Sequence, residues 1–170
     1  MPSWKIASAL GFKFEKFVLE DINEKILPLA YKNMKPEDYS FYDIVLFNGN
    51  FSLPAKTLEC KYDEMAGLTG NVCIEIGCNG RWSGLLITKA DYWLIADGHC
   101  AYLIETKRLH DCITENMDKI EYRKNCRVLQ EGGITKDMDI YLIKMSIFEP
   151  YCCEISQLDD MKYESFNVLV

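Results

Sequence analysis

The sequence predicts one α/β (α+β) domain, spanning 1–170, with a central mixed β-sheet flanked by helices. Three observations carry this. An opening stretch repeats apolar residues at helical spacing. A cluster of short apolar runs follows, separated by Asn-Gly and Asp-Gly turns. A long polar stretch then precedes a last apolar run. At 170 residues, 49% apolar and 26% charged, the chain has the length and balance of a single domain with its own core.

The elements follow in order. From Ile6 to about Tyr31, Leu10, Phe14, Phe17, Val18, Ile22, Ile26, Leu27 and Ala30 recur at three- and four-residue steps, which predicts an amphipathic helix. Pro28 kinks or ends it, and Lys35-Pro36-Glu37-Asp38 reads as a loop. A strand is expected over Tyr42–Phe47, turning at Asn48-Gly49-Asn50. Thr57–Tyr62 reads as the second strand and Val72–Ile76 as the third, with a turn at Asn79-Gly80. Tyr92–Ala96 and Ala101–Ile104 read as two more, joined at Asp97-Gly98. Lys107 to about Cys126 is expected to be a helix, Gly132-Gly133 a loop, and Asp139–Ile147 a last strand. The acidic tail, about 149–170, reads as irregular.

Composition narrows the function. The net charge of −7 argues against a protein that coats nucleic acid through its overall charge, but not against one with a local acidic metal site. No apolar run approaches a membrane span, and no signal peptide is read at the start. Several of the eight cysteines lie in apolar strand-like runs, where a free thiol packs as a small hydrophobe; this favours a reducing, cytoplasmic setting. There is no C-x-x-C pair, no phosphate-binding P-loop, no dinucleotide fingerprint and no G-x-S-x-G. His99 and His110 lack partners at ligand spacing.

Chemistry concentrates between Asp43 and Lys61. Glu59 and Lys61 are two apart on one strand and so share a face. Asp43 stands at the start of the neighbouring strand. Two carboxylates beside one amine suit metal-assisted phosphodiester hydrolysis: the acids hold a hard divalent cation, and the lysine positions water or offsets developing charge.

The stretch Gly11–Asp91 resembles the PD-(D/E)xK nuclease superfamily, in its small, phage-type or Holliday-junction-resolvase-like branch. Asp43 with Glu59-Cys60-Lys61 matches the acid-x-lysine signature, with Tyr42 in place of the usual proline before the aspartate. Gly11-Phe12-Lys13-Phe14-Glu15 is similar to that branch's glycine–aromatic–glutamate helix. Thr69-Gly70-Asn71 to Glu75, Ser83-Gly84-Leu85 and Thr88-Lys89-Ala90-Asp91-Tyr92-Trp93 follow in order.

The resemblance implies a restriction-endonuclease-like core and a Mg²⁺- or Mn²⁺-dependent deoxyribonuclease. In that reading Asp43, Glu59 and the Cys60 carbonyl ligate metal, Lys61 serves the water or the phosphorane, and Glu15 and Glu75 join the cluster. Ser83, Thr88 and Lys89 contact the DNA backbone. Endonuclease action on branched or structured DNA and a two-fold dimer are expected by analogy, in a host cell if the source is viral. A non-catalytic nucleic-acid- or protein-binding module on the same fold, and a ribonuclease using the same site, remain open alternatives. Asp91 reads as a turn or cap residue, and Tyr92, Trp93 and Tyr102 as core aromatics.

Overall fold

The computed structural model describes residues 13–20, 30–32, 41–46, 56–129 and 135–157. These form two β-sheets and a few helices, a mixed α+β arrangement. No helix among the described residues is long and apolar enough to cross a membrane.

The first sheet has six strands. β1 (Ala30–Lys32), β2 (Ile44–Leu46), β3 (Lys56–Tyr62), β6 (Tyr92–Ala96), β7 (Cys100–Glu105) and β10 (Glu154–Gln157) lie side by side in that order. Every pairing is antiparallel except β3 with β6. Residues of period two then face one way. Ile44, Leu46, Leu58, Tyr92, Leu94, Ala96, Ala101 and Leu103 meet Phe14 and Val18 of helix α1, described over 13–20. Phe14 and Val18 are four apart, which is the helical stripe the sequence showed.

The opposite face carries Trp93, Ile95, Tyr102 and Ile104. It packs against α3 (Thr106–Glu115) and against β4 (Asn71–Cys78), through Val72, Ile74 and Ile76. All five residues of β6 are buried, as a strand covered on both faces requires.

The second sheet has four antiparallel strands in the order β5 (Arg81–Trp82), β4, β9 (Thr135–Lys144) and β8 (Glu121–Leu129). Helix α2 (Glu64–Thr69) links β3 to β4 and ends on Gly70, whose φ of +70° suits a residue without a Cβ. The expected turn after β4 forms at Asn79 (φ 51°) and Gly80 (φ 74°), the left-handed pair of a tight hairpin. All eight cysteines are free thiols.

Four expectations need correction. The opening helix was expected to reach Tyr31, yet Ala30–Lys32 is a strand paired with β2; Pro28, which has no N–H to give a helix, precedes it. Residues 6–12 and 21–29 of that expected helix, and the turns at 48–50 and 132–133, lie outside the described residues. The helix expected over Lys107–Cys126 stops at Glu115, where Asn116 turns its side-chain amide back onto the Cys112 carbonyl at 3.0 Å. Beyond it Glu121–Leu129 is an edge strand, polar because it needs no apolar periodicity. The strand expected over Asp139–Ile147 runs Thr135–Lys144, then becomes α4 (Met145–Phe148), which buries Phe148 completely. The tail expected to be irregular contributes β10, paired with β7. The elements α2, β5 and α4 were not foreseen.

The β6–β7 hairpin turns around one buried carboxylate. Asp97 accepts the His99 and Cys100 N–H groups at 2.8 and 2.7 Å and the Tyr102 hydroxyl at 2.9 Å. Asp97→Ala leaves those donors without their partner and is expected to cost about 3 kcal/mol in urea-induced unfolding. A loss below about 1 kcal/mol would show that water serves them equally well.

Candidate active site

The site begins where β2 leaves β3. Their ladder covers Ile44↔Leu58, Val45↔Thr57 and Leu46↔Lys56. Asp43 continues it once, its N–H donating to the Leu58 carbonyl at 3.0 Å. Its carboxylate then accepts the Cys60 N–H at 2.8 Å. A side chain thus takes the place of a strand, and the Asp43 charge is fixed beside Glu59.

Glu59 and Lys61 pair in register with Trp93 and Ile95 of β6, so all four point to the face that meets β4. Cys60 and Tyr62 point the other way, into the core under α1. On β4 the register slips between Glu75 and Gly77, a bulge that re-aims neighbouring side chains. Ser83 closes over it: its N–H donates to the Ile76 carbonyl at 3.2 Å and its hydroxyl to Glu75 Oε1 at 2.6 Å. Gly84 follows with φ +51°, so tight that any Cβ would collide with the Glu75 carbonyl. The Ser-Gly pair therefore orients Glu75.

Electrostatics show how closely these groups converge. The Glu59 carboxyl is pushed up to about 8, first by burial and then by the negative charge of Asp43; Lys61 pulls it back, and Glu15 and Glu75 raise it further. Three of the acids singled out in the sequence, and the lysine, thus bear on the Glu59 carboxyl from α1, the start of β2, β3 and β4. A cavity of about 350 Å³ opens between β3 and β4, lined by Glu59, Lys61, Glu75, Ser83, Gly84 and Trp93. Among the described residues, no three His, Cys, Asp or Glu side chains are arranged to hold a metal ion. Asp43 and Glu75 each commit an oxygen within the chain, to Cys60 and Ser83.

The residues expected to touch DNA have internal partners. Ser83 serves Glu75. Thr88 donates its hydroxyl to the Phe41 carbonyl at 3.0 Å and accepts the Ala90 N–H at 3.1 Å. Lys89 stands 3.8 Å over the Phe41 ring and donates its backbone N–H to the Phe41 carbonyl. Thr88 and Lys89 thus anchor the segment leading into β2. Asp91 is the structural residue expected, its Oδ2 accepting Thr57 N–H at 2.8 Å and so tying the starts of β3 and β6.

Two features were missed. Ser83 clamps Glu75, for which the adjacent left-handed glycine was the available sign. Trp93 is core and cavity wall at once, and its buried indole N–H has no acceptor among the described residues. A donor-only side chain inside an apolar strand was its signal.

Comparison with family models, curated proteins and solved structures gives no match for this chain.

The raised Glu59 carboxyl makes metal-free stability depend on pH. The folded protein keeps a proton that the unfolded chain, with an ordinary value of 4.5, releases as pH rises, so stability falls between about pH 4.5 and 8. Glu59→Gln is expected to flatten this decline, gaining about 3 kcal/mol relative to the parent between pH 5 and 9 in urea unfolding with chelator. Parallel profiles for the two proteins would remove Glu59 as the source.

Proposed function

We propose that this chain is a metal-dependent nuclease that hydrolyses DNA phosphodiester bonds on a restriction-endonuclease-like core of the PD-(D/E)xK type. The observation that carries it is the placing of Glu59, Lys61 and Glu75 around one cavity, with Asp43 fixed beside Glu59 through the Cys60 N–H. The topology supports it: an antiparallel β1–β2–β3 meander, then β6 parallel to β3, with α1 across one face. The acids gather at the point where β2 and β3 part.

The chemistry of the donor set, all oxygen with one ammonium to offset its charges, is what a hard divalent cation prefers, although among the described residues no three of these acids are arranged as ligands in this structure. Asp43 and Glu59, with the Cys60 carbonyl, would hold Mg²⁺ or Mn²⁺, and Glu15 and Glu75 stand ready to share it. Such an ion supplies Lewis acidity and a more acidic bound water.

The chain's own groups do the rest. Lys61 offers its ammonium to a non-bridging phosphate oxygen and offsets the charge that grows during attack. Glu75, fixed through Oε1 by Ser83, presents its carboxylate to the cavity, where it can take a proton from water. Trp93 walls the cavity with an indole N–H that has no acceptor among the described residues and suits an incoming one. Thr88 and Lys89 act at one remove, by holding the segment before β2. The free thiols suit a reducing, intracellular setting. Branched substrates and a two-fold dimer rest on the resemblance alone.

The test is cleavage of supercoiled and branched DNA by purified protein with Mn²⁺. Activity is expected, falling about a hundredfold or more in Glu59→Ala and Lys61→Ala with circular dichroism unchanged. Matched RNA should compete poorly. Absence of cleavage of DNA and RNA alike would overturn the proposal and favour a binding module on the same fold, the reading that the net charge of −7 supports.

A further inference from the structure

Strands β8 and β9 of the four-stranded sheet lie beyond the stretch that the resemblance covers, and one face of that sheet runs out from the candidate site. Residues paired across antiparallel strands share a face. Glu75, Ile140 of β9 and Arg123 of β8 form one such row, and Cys73, Leu142 and Glu121 form the next. This face is opposite to the one carrying Val72, Ile74 and Ile143 into the core. Along β9 it continues to Lys136 at one end and Lys144 at the other, both in register on this side.

We propose that this face of the four-stranded sheet is the platform along which the nucleic-acid strand leaves the site, with Arg123 as its principal phosphate-binding residue. The inference rests on the nuclease reading. Charge complementarity argues for a polyanion: Arg123, Lys136 and Lys144 outnumber Glu75 and Glu121 on this face, in a chain of net charge −7. Arg123 is two strand spacings from Glu75, roughly 10 Å, so it meets a phosphate flanking the reacting one. Its present partner is surrendered easily, because the 2.7 Å pair with Glu121 is half exposed and such surface pairs contribute little. A bidentate phosphate contact is a stronger bond for the same guanidinium.

Strand alternation supplies an internal control. Arg127 is on the same strand with the same charge and its own carboxylate partner, Asp137 at 3.6 Å, but it points to the opposite face. Binding of fluorescent branched DNA to chelator-treated protein is measured by anisotropy across a salt series, with dichroism confirming the fold. Arg123→Glu is expected to weaken binding at least tenfold, and Arg123→Gln to lower the salt slope by about one. Arg127→Glu is expected to stay within twofold. Equal losses in the two glutamate variants, or none in Arg123→Glu, would overturn the platform. So would unchanged DNA binding with an altered molecular mass, which would make this face an interface with a second copy. Cleavage by the parent protein is scored separately: full cleavage by Arg123→Glu sinks only the platform, whereas an inactive parent sinks the nuclease reading.

Discussion

The hydrogen bond from the Cys60 N–H to the Asp43 carboxylate is the constraint on which the candidate site depends. A strand interior normally gives its N–H groups to a neighbouring strand. Here β2 departs after Ile44, and the side chain of the residue before it satisfies the group left behind. One edge of β3 is thereby free of β2 exactly where Glu59 and Lys61 project, without an unpaired donor at Cys60. The same device recurs at the end of β3, where Asp63 accepts the Cys73 N–H at 3.0 Å and draws β4 toward that edge. Asp63 thereby ties the end of β3 to the second sheet, where no ladder runs.

The arrangement is costly in the metal-free protein. Placing acids around a partly buried carboxyl raises its proton affinity, and that energy is withdrawn from folding as pH rises from about 4.5 to 8. Proteins retain such strain where it serves a ligand. A cation would relieve the repulsion that Lys61 only partly offsets. The orientation of Glu75 points the same way, since a bulge, a serine hydroxyl and a left-handed glycine all converge on that carboxylate.

Much of the first sheet was legible because its strands alternate. Leu58, Cys60 and Tyr62 against Glu59 and Lys61 is a period-two pattern, and Asp97-Gly98 marks the β6–β7 turn by chemistry. The second sheet was harder. Glu121–Leu129 is an exposed edge strand whose polar residues mimic a solvated helix, and Met145–Phe148 continues an apolar run that had begun as β9. Asp43, Glu59 and Lys61 could be grouped from spacing, whereas Glu75 depends on how one sheet packs on the other, which no local pattern encodes. Ser83 and Lys89 are polar residues of a loop, and only their partners show that they support the site from behind.

The central claim is that the crowded carboxylates form a cation site. Calorimetric titration of Mn²⁺ into the protein at neutral pH, in buffers of different ionisation heat, tests it most directly. Saturable binding that releases close to one proton, and that is lost in Glu59→Gln, is the expected result. Binding without proton release, or equal binding by Glu59→Gln, would contradict it.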